Sequence, residues 1–269
     1  YDSPFFTNEG SGTTTSGVQT FVYNFDRQYV TLENILDPIN ITTGTMQWWD
    51  GTGYSQGVDE EHRLSFAYDE EKHQVKVGAK HIGTYYIYVK ISDALFANAK
   101  WSTTTSQTLT FRISMNRATL TIPTILKTNL ATGESISGNY KYASYSGNNV
   151  IAEYKDVDSR YMTWKDVTAY AGAADDHKAV IEYDEENKVL RIKSKYVNTY
   201  TIQISLKDNA NSNWITSSSY KNKTYSYGIV ISKLTHPYPT VVSGCSTSVT
   251  YTGNPIEFKL QNVVFGSDK

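Results

Sequence analysis

Short runs in which every second residue is apolar dominate the chain. Tyr85, Ile87, Val89 and Ile91 alternate with Tyr86, Tyr88 and Lys90, and Tyr200, Ile202, Ile204 and Leu206 alternate with Thr201, Gln203 and Ser205. Successive side chains on a strand point to opposite faces, so each run predicts a strand with one face in a core and the other in water. Leu64, Phe66 and Tyr68 lead into Asp69, Glu70, Glu71 and Lys72, after which Val75 and Val77 resume the alternation. Charged residues between two alternating runs predict a hairpin tip, and Asp184 to Asn187 predict a second. The 3.6-residue spacing of an amphipathic helix is hard to find anywhere, so the fold class expected is all-β, built as two-sheet sandwiches.

The pattern repeats. Met46, Trp48, Asp50, Thr52 and Tyr54 correspond to Met162, Trp164, Asp166, Thr168 and Tyr170 at an offset of 116 residues. Identity at every second position holds one face of a strand constant. The correspondence continues from Tyr85 and Ile87 to Tyr200 and Ile202, from Asp93 to Asp208, and from Trp101 to Trp214. Pro123 and Thr124 recur as Pro239 and Thr240, and Tyr145 to Asn148 recur as Tyr251 to Asn254. Such self-similarity predicts tandem domains, at 1–120 and 121–236, with an incomplete third at 237–269. Gly83 stands where the second repeat has Asn198, which predicts a shared positive φ. The linkers, Asn116 to Pro123 and Ser232 to Pro239, are short and each ends at a proline.

Composition agrees with strands. The chain holds 22 tyrosines and only 19% charged residues, and tyrosine and threonine suit a pleated, half-buried surface. With 25 basic and 27 acidic residues the net charge is -2, which gives no field to attract nucleic acid. Runs of 18 or more apolar residues are absent, so no membrane insertion is expected. The lone Cys245 has no partner for an intrachain disulfide.

The run NTYTIQISLKD from Asn198 to Asp208, then Trp214, then KTYSYGI from Lys223 to Ile229, resembles the signature of bacterial immunoglobulin-like repeats. These occur in large Firmicutes surface and secreted proteins and in some bacteriophage virion proteins. A Pro-Thr start and a Tyr-[Ser/Thr]-Gly-Asn opening strand, as at Pro239 and Tyr251, are common in them. The first repeat departs from this at Tyr23 to Asp26, and Asn198 replaces a glycine. The resemblance implies tandem immunoglobulin-like β-sandwiches in a non-enzymatic, extracellular, rod-like spacer or adhesive segment. A virion decoration protein and a carbohydrate-binding module are the alternatives. Implied partners are a host-surface glycan or protein, or neighbouring subunits of a surface or virion assembly. The fold itself fixes none of these activities.

Candidate chemistry is sparse. The acidic clusters at Asp59 to Glu61, Asp69 to Glu71, Asp175 with Asp176, and Asp184 to Glu186 lack the Asp-x-Asp-x-Asp-Gly calcium loop and read as charged tips. The histidines at 62, 73, 81, 177 and 236 lack zinc-ligand spacing and read as surface residues. Nucleophile elbows, phosphate loops and dinucleotide fingerprints are missing, so no catalytic residue, metal or cofactor is expected. An intramolecular Lys-Asn crosslink would need a buried lysine, asparagine and acid together. Tryptophans that recur serve the fold, which assigns Trp48, Trp164, Trp101 and Trp214 to packing, together with Tyr85 and Tyr200. Trp49 faces Lys165 in the other repeat and lies on the face opposite Trp48. With Tyr54 and Asp50 beside it, Trp49 is the candidate for stacking on a sugar or contacting a protein.

Overall fold

The computed structural model describes residues 3–8, 13–15, 17–35, 46–92, 100–127, 130–215, 223–242, 248, 250–251, 253–255, 257 and 259–263. Asp93 and Cys245 lie outside the described residues. Contacts group the chain into two compact units. One comprises 1–122 with 158–163 and 204–225, and the other 123–157 with 164–203 and 226–269.

Strands of the first repeat are β1 (Phe5–Asn8), β2 (Thr13–Thr15), β3 (Val18–Val22), β4 (Gln28–Glu33), β5 (Met46–Asp50), β6 (Ser65–Asp69), β7 (Gln74–Ala79), β8 (Gly83–Ile91) and β9 (Thr108–Asn116). They form two sheets, ordered β1-β4-β7-β6 and β2-β3-β9-β8-β5. Pairing is antiparallel except between β3 and β9, which run parallel.

A short strand β10 (Ala118–Leu120) precedes β11 (Thr124–Ile125), β12 (Ser135–Ser137), β13 (Tyr140–Ser144), β14 (Val150–Lys155), β15 (Met162–Asp166), β16 (Val180–Asp184), β17 (Val189–Ser194), β18 (Asn198–Leu206), β19 (Ser212–Trp214) and β20 (Tyr225–Ser232). Their sheet orders, β11-β14-β17-β16 and β12-β13-β20-β18-β15, repeat the first pair, including the parallel contact of β13 with β20. This is the ABED and CFG arrangement of the immunoglobulin sandwich, with an N-terminal strand laid parallel to the last one. The chain is therefore all-β and carries the immunoglobulin-like sandwich twice.

Alternation fills the cores as the sequence predicts. Tyr85, Ile87, Val89 and Ile91 are buried, as are Tyr200, Ile202, Ile204 and Leu206. Tyr85 donates its hydroxyl to His81 O at 2.7 Å, and Tyr200 donates to Tyr196 O at 2.9 Å. A tyrosine near the start of β8 or β18 that is bonded to backbone four residues upstream is the tyrosine corner of this fold. Trp101 and Trp214 are fully buried, and their indole N–H groups donate to Gln107 O and Lys223 O. Trp48 packs on Phe66 at 5.2 Å between ring centroids, and Trp164 on Tyr183 at 4.8 Å.

Turn chemistry differs from expectation in two places. Gly83 has the expected positive φ, at 156°, but Asn198 does not share it; its side chain instead accepts from Thr199 N and donates to Ala169 O. A left-handed position that the repeats do share is one hairpin earlier, at His73 and Lys188, each with φ 53°. These residues close the β6–β7 and β16–β17 tips, where Asp69 and Asp184 accept the backbone N–H groups of Lys72 and Asn187. The other two acidic clusters form 3₁₀ turns, Glu60–His62 and Asp175–His177, not hairpin tips.

Near the C-terminus a short pairing has the same form as one in the second sandwich. β21 (Thr240–Val241) pairs antiparallel with β22 (Leu260–Gln261), and Val242 N donates to Lys259 O at 2.8 Å. In the second repeat Thr124 and Ile125 pair with Lys155 and Tyr154, and Leu126 N donates to Glu153 O at 2.8 Å. Leu260, at the position of the fully buried Tyr154, is 56% exposed.

Candidate functional site

The outer face of the β3-β9-β8-β5 sheet gathers aromatic side chains. Across β5 and β8, Trp49 stands opposite Tyr88 and Gln47 opposite Lys90. Across β8 and β9, Tyr88 stands opposite Thr110, Tyr86 opposite Arg112 and Thr84 opposite Ser114. Trp49 is 40% exposed, and its ring lies 5.5 Å from that of Tyr88, inclined at 58°. The Tyr88 ring rests over Gly51, because a Cβ there would meet its Cε2 at 2.1 Å.

The second repeat shows what is specific to this face. At the positions of Trp49, Gly51, Tyr86 and Tyr88 it carries Lys165, Val167, Thr201 and Gln203. The backbone beneath is unchanged. Gly51 N donates to Tyr86 O and Val167 N to Thr201 O, each at 2.9 Å. Tyr86 N donates to Thr52 Oγ1 at 3.0 Å and Thr201 N to Thr168 Oγ1 at 2.9 Å. The same frame thus presents aromatic rings in one repeat and polar chains in the other.

Asp50 and Tyr54 lie elsewhere in this arrangement. Asp50 accepts Thr52 N on Oδ1 at 2.9 Å and the Tyr54 hydroxyl on Oδ2 at 2.7 Å, while Leu64 N donates to that hydroxyl at 2.9 Å. Asp166, Thr168, Tyr170 and Ala179 repeat the set in the second sandwich. Burial and the bonded carboxylate push the Tyr54 hydroxyl up to about 12, and burial with Asp166 raises Tyr170. The pair closes the turn after β5, and its recurrence after β15 places it with the scaffold. Tyr86 and Tyr88 join Trp49 instead. The comparison between repeats that singles out Trp49 also singles them out when applied to β8.

Elsewhere, a cleft of about 310 Å³ lies beside the β12–β13 hairpin, lined by Thr132, Glu134, Ser144, Tyr145, Asn148 and Leu234 among others. Glu134 is already engaged, accepting Ala131 N at 2.8 Å and pairing with Lys141 at 2.7 Å. Lys141, buried, also donates to Ile151 O at 2.9 Å. Among the described residues, no group of three or more His, Cys, Asp or Glu side chains is placed to hold a metal ion. Among them too, no helix is long and apolar enough to cross a membrane.

No protein-family model matches the chain, and no curated protein matches it. Solved structures similar to it include a three-domain titin fragment, I67–I69, in an E-to-A mutated variant. Identity there is 10% and the TM-score 0.31, over 86% of this chain and 66% of that one. A marsupial T cell receptor is 11% identical with a TM-score of 0.29, over 88% of this chain and 76% of its own. An endo-fucoidan hydrolase of glycoside hydrolase family 107 is 11% identical with a TM-score of 0.28, over 85% of this chain and 30% of its own.

Proposed function

We propose that this chain is a non-enzymatic extracellular module of a bacterial surface protein, of the bacterial immunoglobulin-like repeat type, which spaces and presents a binding face. The observation that carries this reading is the division of labour between the repeats. Residues that recur hold the sandwiches together, and the solvent face of β5 and β8 differs by the gain of Trp49, Tyr86 and Tyr88. Tyrosine and tryptophan offer an apolar ring face with a polar edge at little entropic cost, which suits an exposed contact surface. Gln47, Thr110 and Arg112 lie beside the rings on the same face and offer hydrogen-bonding groups around them. Ring faces flanked by amide, hydroxyl and guanidinium groups match the alternating CH and OH surface of a glycan chain.

A glycan array followed by titration calorimetry of the strongest glycan tests the reading. Trp49→Ala and Tyr88→Ala are each expected to weaken binding about fivefold or more, taking the loss of about 1–3 kcal/mol seen when an aromatic partner of a stacked base is removed as the guide. Lys165→Ala, at the matching position of the second repeat, leaves it unchanged. A glycan bound equally by wild type and Trp49→Ala would place the contact elsewhere. An array without any bound glycan, alongside Trp49-dependent capture of a surface protein, would replace the glycan with a protein ligand and keep the module.

A further inference from the structure

A closed polar network surrounds the turn that follows β18. Asp208 Oδ1 accepts the backbone N–H groups of Ala210 at 3.0 Å and Asn211 at 3.1 Å. Its Oδ2 accepts the Tyr23 hydroxyl at 2.7 Å and the Asn211 side-chain amide at 2.8 Å. Asn211 is 4% exposed. Its Oδ1 accepts Ile82 N at 2.9 Å, and its Nδ2 lies 3.1 Å from His81 Nδ1.

This amide has one possible orientation. One end faces a carboxylate, which accepts, and the other faces a backbone N–H, which donates. The second Nδ2 hydrogen therefore points at His81 Nδ1, which must be an unprotonated acceptor. The neutral ring then carries its hydrogen on Nε2, a buried atom without a partner among the described residues. His81 is thus an exception to the expectation that the histidines are surface residues.

We propose that His81 is a pH-sensitive latch, which when neutral holds the Asp208–Ser212 turn in place and when protonated releases it. Protonation would set an Nδ1–H against the Asn211 N–H, two donors with no acceptor between them. The charged ring would also lie against His62, whose ring is stacked on it at 3.7 Å, inclined at 13°. Every neighbouring element contributes to the balance. The 3₁₀ turn brings His62, bonded to Asp59 at 2.5 Å, and Glu61, which is paired with Lys80 beside His81 itself. The end of β3 brings the Tyr23 ring at 6.4 Å, and the loop brings Asp208. Burial, His62 and Lys80 disfavour the charged ring, Glu61 and Asp208 favour it, and the net effect lowers the His81 pKa below its ordinary 6.5. Asp208 stays ionised, since the hydrogen bonds from Tyr23 and Asn211 overcome the opposing effect of burial.

A histidine with a depressed pKa takes up its proton more readily in the open turn than in the closed one. The latch therefore has its full strength above about pH 6.5 and weakens as the pH falls from there through the lower pKa of the closed form. Opening has a mechanical consequence. Ala118 N donates to Asn211 O at 3.1 Å, Arg117 donates to Asn209 O, and Ala118–Leu120 pairs with Ser212–Trp214. Acid therefore loosens the pairing of β10 with β19 without disturbing the sheets.

Imidazole ¹⁵N NMR on the whole chain, with amide exchange from pH 7.5 to 5, tests the latch. At neutral pH His81 is expected as the Nε2–H tautomer, titrating below 6.5. Protection of the Ile82 and Ala118 amides, corrected for intrinsic exchange, should fall by about fivefold or more at pH 5. His81→Gln, whose side-chain oxygen accepts from Asn211 without titrating, should keep protection flat. Where that variant does not fold, His62→Gln serves, because removing the stacked ring should raise the His81 midpoint toward 6.5 and so shrink the loss of protection at pH 5. An Nδ1–H tautomer, an acid-insensitive wild type, or the same acid response in His81→Gln overturns the proposal, as does an unmoved midpoint in His62→Gln.

Discussion

Gly51 and Tyr88 change together between the repeats, to Val167 and Gln203, while the backbone bond beneath them stays the same. The reason is spatial, because the Tyr88 ring occupies the volume a side chain at position 51 would fill. Gly51→Val, which copies the second repeat, is therefore expected to fold, since Val167 is accommodated on an equivalent frame. It should displace the Tyr88 ring and break its contact with Trp49, seen as a loss of near-UV circular dichroism. Ligand binding at this face should weaken about tenfold, as for loss of one stacking contact. The double variant Gly51→Val with Tyr88→Gln should match the stability of wild type within about 0.5 kcal/mol, the usual range for surface changes. Unchanged ring signals in Gly51→Val would mean that the two positions are not coupled. The alternation of β8 marked Tyr88 as an outward residue, and repeat subtraction marked Trp49 as unusual. That Gly51 makes room for the ring was not legible, because a close approach leaves no spacing in sequence.

At the level of elements, the N-terminal strand laid against the last strand holds a buried polar residue in both repeats. Gln19 on β3 pairs with Ile113, and Lys141 on β13 pairs with Ile229, in the same register. Lys141 is 7% exposed, and its ammonium meets Glu134 at 2.7 Å and Ile151 O at 2.9 Å. Removing one member of a buried pair leaves the other uncompensated, whereas replacing both with apolar groups of similar size is often tolerated. Lys141→Met is expected to cost about 3 kcal/mol, the lower end for such pairs because Glu134 borders an open cleft. Lys141→Met with Glu134→Leu should recover most of that loss. Urea titration of both variants decides the matter, and a double variant no better than the single would show that the lysine acts through packing. No alternation rule predicts a lysine on an inward position. Both sequence rules in use here, period two and repeat identity, are silent about it, because Gln19 and Lys141 share a place but neither size nor charge.

At the scale of the whole molecule, the period-two runs and the 116-residue offset made the strands and the paired sandwiches legible, but not the order of strands in each sheet. Nor could they carry the His81 network, whose key contact joins residues 130 apart in sequence and whose matching position at Asp93 lies outside the described residues. Charge behaves differently from either, because it is readable by count but acts by position. The 25 basic and 27 acidic residues leave a net charge of -2. Many are engaged in short pairs such as Arg191 with Glu153, Lys193 with Glu182 and Lys178 with Asp175. Beyond a Debye length of about 8 Å at physiological salt, such pairs present little field to a partner. Binding through the Trp49 face should therefore be nearly salt-independent, changing by about twofold or less between 50 and 500 mM sodium chloride. The chain should also pass unretained through a heparin column at about 50 mM salt. A polyanion neutralised by six to ten basic side chains would instead lose about 10³ to 10⁵ in affinity between 50 and 200 mM. Retention on heparin, or a salt slope of that steepness, would mean that Lys and Arg, such as Arg112 and Lys90 on this same face, rather than aromatic rings recognise the partner.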